Sequence, residues 1–174
     1  MFAGLSSTLV HAIHNQHRQV ERMQERSRRA LATLSPDFRH RVERVIACLD
    51  RRGAIAVVFW GKRTIEQQKR IIKEGHSPTT RSWHVMNTHN NVDTPVAHYV
   101  VRGEAADIVD ARFLWGGPCA NLHHPFWRAL GFYAKEQGLE WGGDWKPPVA
   151  KHPDVAHVQL KHREFSQDIR GTRA

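Results

Sequence analysis

The sequence predicts a single α+β domain, with helices first and then a small, mostly antiparallel sheet carrying one more inserted helix. Three observations lead there. Two helical patterns precede the first strand-like run. The strand-like runs that follow are short and separated by turns, without the regular strand–helix alternation of a parallel sheet. Finally, 174 residues that are 40% apolar fit one domain with a real core, and no repeat or linker divides the chain.

Residues 8–33 read as a helix rich in Arg, Gln, Glu and His, whose apolar positions Leu9, Ile13, Val20, Met23, Ala30 and Leu34 form only a thin stripe. Ser35-Pro36 starts a second helix, with Ser as cap and Pro in the first turn. Phe38, Val42, Val45, Ile46 and Leu49 give that helix one apolar face, and it ends near Gly53. Ala54 to Trp60 is a continuous apolar run rich in β-branched residues, hence a buried strand. Thr64 with Gln67 forms a capping box for a helix reaching about Glu74, stopped by Gly75. Strands are expected over 96–101, 104–109 and 155–160. A helix opens at Pro125 with Phe126, Trp127, Leu130 and Tyr133 inward, and closes at Gly138.

Lys and Arg outnumber Asp and Glu by 26 to 17, a formal charge of +9. That excess suits a polyanionic partner such as nucleic acid, anionic lipid or an acidic cell-wall polymer, and does not choose among them. No stretch approaches the roughly 18 apolar residues of a membrane span, and residues 1–10 lack the basic and apolar regions of a signal peptide. Cys48 and Cys119 have no metal-type spacing, and Cys48 falls on the apolar side of its helix. Free thiols, Cys48 buried, and folding in a reducing cytoplasm are the expectation.

The chemistry-bearing residues come in a fixed order. Ser82-Trp83-His84 is followed by Gly103-Glu104-Ala105-Ala106-Asp107, then Glu140-Trp141-Gly142-Gly143-Asp144-Trp145, then Asp154-Val155-Ala156-His157. Together they supply two histidines and a carboxylate for a metal, plus a spare carboxylate three residues before the last histidine. A zinc hydrolase needs that inventory: three protein ligands, an open position for water, and a base. Each segment alone is weak, since a lone Asp-x-x-His is usually surface decoration and Trp141 and Trp145 are more often core than substrate platforms.

With Lys62-Arg63-Thr64 and Glu66-Gln67 placed ahead of it, this succession resembles the zinc D-alanyl-D-alanine carboxypeptidase and L-alanyl-D-glutamate endopeptidase family, which includes peptidoglycan-cleaving endolysins of bacteriophages. The likeness covers roughly residues 35–160. It implies Zn2+ held by Asp107, His157 and a first histidine, Asp154 as general base, and Arg63 as the cation that steadies substrate or the developing oxyanion. Gln67, Ser82 and Trp145 are implied as substrate-binding residues. The chain departs from the family at the first histidine. The usual pattern, Ser-x-His-x-x-Gly-x-Ala-x-Asp, puts that ligand at Val100. His84 keeps the Ser-x-His context and His98 lies nearer the expected spacing. A hairpin pairing 85–88 with 96–101 brings His84 back beside Val100, which favours His84.

The resemblance thus implies a zinc metallopeptidase of peptidoglycan stem peptides, of L-alanyl-D-glutamate endopeptidase type, serving phage or prophage lysis of a host. It would be made in the host cytoplasm, act on the cell wall, and work as a monomer without nucleic acid. The expected division is an N-terminal polar helix extension (1–34), a catalytic domain (35–162) and a basic tail (163–174). The rival readings are a D-alanyl-D-alanine carboxypeptidase with the same zinc site and, from another class, a non-catalytic basic module binding cell wall or nucleic acid.

Overall fold

The structure is a computed structural model that describes residues 7–77, 82–85, 103–147 and 150–161. Helix α1 (Ser7–Leu31) leads into α2 (Pro36–Asp50), strand β1 (Ala56–Trp60) and α3 (Ile65–Lys73). Strand β2 (Ala105–Asp110), α4 (Pro125–Glu136), β3 (Leu139–Trp141) and β4 (His157–Leu160) complete it, with short 3-10 turns at Gly117–Ala120 and Gly142–Asp144. The four strands form one sheet in the order β1-β2-β4-β3, and every pairing is antiparallel. The α+β fold is the one expected. The strand expected over 96–101, the hairpin of 85–101 and His98 lie outside the described residues.

The helix ends form for local reasons. The capping box of α3 is complete: Gln67 N–H donates to the Thr64 hydroxyl, and the Gln67 side chain accepts from Thr64 N–H. Ser35 stands at the start of α2 in extended backbone, but its side chain makes no capping bond. Its N–H instead donates to the Gly103 carbonyl at 2.9 Å, tying the corner between α1 and α2 to the chain entering β2. At α4 the cap is His124, whose ring accepts from Phe126 N–H.

Phe38, Val42, Val45 and Leu49 of α2 face Trp127, Leu130 and Ala134 of α4 and the apolar residues of β1 and β2 in one core. Side chains of this size contribute roughly 1.5–3 kcal/mol each on full burial, so the α2–α4 layer is a substantial anchor of the sheet. Both cysteines are free, Cys119 buried. Cys48 is half-buried rather than buried, because it sits at the border of the α2 face with its sulfur 3.0 Å from an Arg51 nitrogen.

Helix α1 is polar because of what it covers. Val20, Met23 and Ala30 pack against the core, while Leu9 and Ile13 near its start are exposed. Its polar side chains bond to the backbone of β1, the edge strand of the described sheet. Ser27 Oγ accepts from Val58 N–H at 2.9 Å, and Arg26 Nε donates to the Phe59 carbonyl at 2.6 Å. Gln19 donates to the carbonyls of Ala111 and Arg112 beyond β2. Buried or half-buried backbone groups at a sheet edge require partners, and α1 provides them.

Candidate metal centre

Three strands present one row of residues at the site. Strand β2 pairs Asp107 with His157 of β4, and β1 pairs Trp60 with Asp107 across a bulge in which Phe59 is the extra residue. Such a bulge turns the strand end, here bringing Trp60 opposite Asp107 and leading into Gly61-Lys62-Arg63. His84 arrives from the short turn at Trp83–Val85, which is fastened to the same loop by Arg63 N–H donating to the His84 carbonyl at 2.9 Å.

His84, Asp107 and His157 are buried, and one ligand-type atom from each lies within 4.8 Å of the other two. His84 Nε2 is 3.1 Å and His157 Nδ1 is 3.2 Å from the same oxygen, Asp107 Oδ1. A tetrahedral metal held at about 2.0–2.1 Å has ligand atoms roughly 3.3 Å apart, so two edges of the polyhedron are already formed. The other ring nitrogens are occupied. His84 Nδ1 lies 2.7 Å from the Gly61 carbonyl and His157 Nε2 lies 2.9 Å from Gln159 Oε1. Each ring therefore has an acceptor on its far side and turns its near nitrogen inward, the arrangement metal-binding histidines adopt. The donor set fits zinc: two imidazoles and one carboxylate, all buried.

Charge is balanced within the cluster. Burial would raise the Asp107 carboxyl, but His84, His157 and Arg63 around it hold it well below the usual carboxylate range. Burial lowers His84, and Asp107 does not fully offset it. Burial also pulls His157 down, yet its bond to Asp107 and the charges of Asp107 and Asp154 raise it overall. His157 is thus the more readily protonated of the two rings.

Arg63 is buried, and its Nη2 donates to Asp107 Oδ2 at 2.6 Å, the oxygen pointing away from the histidines. Its Nη1 reaches Gln68 Oε1 at 3.3 Å, while its Nε is a buried donor with no partner among the described residues. Two guanidiniums lie over the Trp60 ring, Arg63 at 5.0 Å and Arg26 at 4.5 Å from its centroid. Burial lowers the Arg63 pKa against the pull of Asp107 and Asp154; a guanidinium keeps its charge regardless.

Asp154 stands at the rim. Its N–H donates to the Gly142 carbonyl at 2.9 Å, and its own carbonyl accepts from His157 N–H at 3.2 Å, so one tight turn carries both residues. Loss of hydration, then the Asp107 charge, push its carboxyl upward. The residue as a whole is exposed, and solvent access limits how far burial can carry that shift.

The remaining residues singled out in the sequence lie close by in different roles. Ser82 Oγ faces His84 N–H at 3.4 Å. Gln67 is engaged in the cap of α3. Trp145 packs its ring 4.9 Å from that of His157 and donates its indole N–H to Glu140 Oε1. Trp141, half-buried, donates to the Val155 carbonyl and closes over Gly131 and Gly143 as packing. Sequence reasoning missed Gly61, Gln159 and Glu140. The signal for Gln159 was present: two residues beyond His157 on a strand, it shares that residue's face.

No protein-family model matches the chain. It is 27% identical over 122 residues to the L-alanyl-D-glutamate peptidase of Listeria phage A118, a match covering 70% of this chain and 36% of that protein. The chain thus matches about a third of that relative's length. Among solved structures it is similar to the Serratia marcescens L-Ala D-Glu endopeptidase ChiX, with a TM-score of 0.50, 26% identity, and coverage of 82% of this chain and 91% of that one. The vancomycin resistance D,D-dipeptidase VanXYg aligns at a TM-score of 0.43 and 13% identity, over 79% of this chain and 60% of that one. With its motifs in family order and its two histidines and aspartate gathered in one buried cluster, the chain is similar to the L-alanyl-D-glutamate peptidases in sequence and in fold.

Proposed function

We propose that the protein is a zinc-dependent peptidoglycan peptidase that cleaves the stem peptide between L-alanine and D-glutamate, in the setting of a phage or prophage endolysin. The observation that carries this reading is the meeting of His84, Asp107 and His157 in one buried cluster, with Asp154 at its rim. A non-catalytic module has no need for three buried ligands beside a free carboxylate. The phage and Serratia relatives support the choice of bond.

His84, Asp107 and His157 would hold the metal. Zinc, when bound, acts as a Lewis acid and lowers the pKa of its water toward about 7. The residues of the chain do the rest. Asp154, raised and solvent-accessible, takes the proton of the attacking water and returns it to the leaving amine. Arg63 holds Asp107 through Nη2 and sets its fixed positive charge beside the cluster, where negative charge would develop. Ser82, Trp145 and Gln67 of the α3 cap are the substrate contacts in this reading, and Gln68 braces Arg63 from α3. Residues 35–162 form the catalytic unit in this reading, with α1 as its backing layer and 163–174 as a basic tail suited to an anionic wall. The protein acts as a monomer on the cell wall. No described helix is long and apolar enough to cross a membrane.

Digestion of purified peptidoglycan with the zinc-loaded protein tests the reading. New N-terminal D-glutamate is expected. Release of free D-alanine instead would assign a D-alanyl-D-alanine carboxypeptidase. No cleavage, together with salt-sensitive DNA binding and no bound zinc, would assign a binding module.

A further inference from the structure

Behind His157 lies a chain of hydrogen bonds that the reaction itself does not use. Gln159, 3% exposed, follows His157 by two residues on β4 and so lies on the same face of the sheet. Across the ladder its partner on β3 is Glu140. His157 Nε2 is 2.9 Å from Gln159 Oε1, Gln159 Nε2 donates to Glu140 Oε2 at 3.3 Å, and Glu140 Oε1 accepts from the Trp145 indole at 2.5 Å.

The direction of this chain is fixed by its far end. An ionised carboxylate only accepts hydrogen bonds. Glu140 therefore turns the amide of Gln159 so that its NH2 faces the carboxylate and its carbonyl faces the imidazole. A carbonyl also only accepts, so the ring nitrogen opposite it, Nε2, must carry hydrogen. The reverse orientation would set the Gln159 carbonyl against Glu140 Oε2, two acceptors facing each other with no hydrogen between them, a costly arrangement in a part-buried site.

Resting on the metal-centre reading above, we propose that Glu140 and Gln159 are positioning residues that hold His157 as its Nε2–H tautomer and turn Nδ1 toward the metal, with Trp145 clamping Glu140 from the other side. His84 has the opposite arrangement, its Nδ1–H on the Gly61 carbonyl and Nε2 inward. The site thus uses one histidine through each nitrogen. Trp145 acts twice, through its indole N–H on Glu140 and its ring against His157. Orientation of His157 is thus a second role for Trp145, beside the substrate contact proposed above.

The test uses nitrogen NMR of the His157 ring in the metal-free full chain at alkaline pH, beside zinc affinity from chelator competition. The wild type is expected to carry its ring hydrogen on Nε2. Gln159→Leu should mix the tautomers and weaken zinc by about 10–100-fold, the usual effect of removing a ligand's outer partner. Glu140→Gln frees the Gln159 amide to turn over and should weaken zinc by less. Gln159→Glu sets two carboxylates face to face and should be worse than Glu140→Gln. The double swap Glu140→Gln/Gln159→Glu restores one donor–acceptor sequence from Trp145 to His157, and should recover most of the affinity and the Nε2–H tautomer. A merely structural pair would show no such rescue.

A ring hydrogen on Nδ1 in the wild type, or wild-type zinc affinity in Gln159→Leu, would overturn the relay and leave the metal reading standing. A wild type with the Nε2–H tautomer, disturbed by Gln159→Leu as expected, but with no zinc affinity, would support the orientation device and overturn the metal reading.

Discussion

His84 and His157 stand edge to face, with ring centroids 5.0 Å apart, and share one oxygen of Asp107, yet they are held by different means. His84 leans on a backbone carbonyl. That carbonyl belongs to Gly61, which lies hard against the corner between α1 and α2: a β-carbon there would meet Ala30 O and Thr33 Oγ1 at 2.8 Å. Lys62 N–H fastens the loop further by donating to the Thr33 hydroxyl. His157 instead depends on three side chains in series. A backbone partner survives nearly any side-chain change, but only while the chain around it is free to come this close. A side-chain partner is lost with one substitution and can be regained with a compensating one. One ring is thus secured by packing and the other by hydrogen-bond sequence.

The largest effect should come from removing either ring. His84→Ala and His157→Ala should each lower zinc content and activity together, by more than the 10–100-fold that outer partners cost. His98→Ala should keep most of both. Metal analysis alongside peptidoglycan turnover checks this, and full zinc in His84→Ala with an empty site in His98→Ala would move the ligand to His98.

Next comes Asp154→Ala, which should cost activity on the order of 10²–10⁴-fold while zinc content and melting temperature stay nearly constant. Loss of zinc in that variant would make Asp154 a ligand rather than a base. The outcome sharpens the contrast, because Asp154 shares a turn with His157 and none with His84.

Packing changes at the His84 support should be smaller. Gly61→Val would force the corner of α1 and α2 away and should destabilise by about 1–3 kcal/mol, the usual cost of overpacking. Gly103→Ala should be at least as costly, with φ at 74° and a β-carbon 2.3 Å from Thr33 O. In Gly61→Val the His84 ring should lose its Nδ1–H partner while the His157 tautomer is unchanged, readable in the same NMR spectra. A disturbance of His157 alone would refute the separation of the two supports.

The smallest effect is a pH dependence. His157 is raised in the metal-free fold, so its protonated form contributes stability below the ordinary imidazole value of about 6.5 and loses it as pH rises through the folded value. Metal binding has the opposite sign, because it needs that lone pair. Below the folded value, each pH unit of increase should therefore tighten zinc by up to about tenfold, or 1.4 kcal/mol. Melting curves with and without zinc should draw apart as pH rises; a constant gap would mean that no proton is displaced.

Much of the fold was legible in the sequence because its signals are local. Pro36, Pro125 and the Thr64–Gln67 box mark helix starts within a few residues, and the four-and-three spacing of Phe38, Val42, Val45 and Leu49 names the buried face. The members of the buried cluster were legible through motif order, since Gly-x-Ala-x-Asp and Asp-x-x-His need no knowledge of the sheet. What stayed hidden depends on register. Glu140 meets Gln159 only because β3 pairs β4 at that offset, across 19 residues of sequence, and no period within either strand encodes it. The Gly61 carbonyl was hidden for a different reason: a backbone atom has no residue type to read.

One feature of α1 reaches beyond the site. The strand it covers is Ala-Val-Val-Phe-Trp, an uncharged run of high β-propensity at the edge of the described sheet. Such an edge, left open, is a template for pairing with other chains. Ser27 and Arg26 take up its hydrogen-bonding groups, and the charged outer face of the helix meets solvent in its place. A helix that looks dispensable by its thin apolar stripe therefore covers an aggregation-prone edge, and shortening the chain past it is expected to cost colloidal stability even where the His-Asp-His cluster survives.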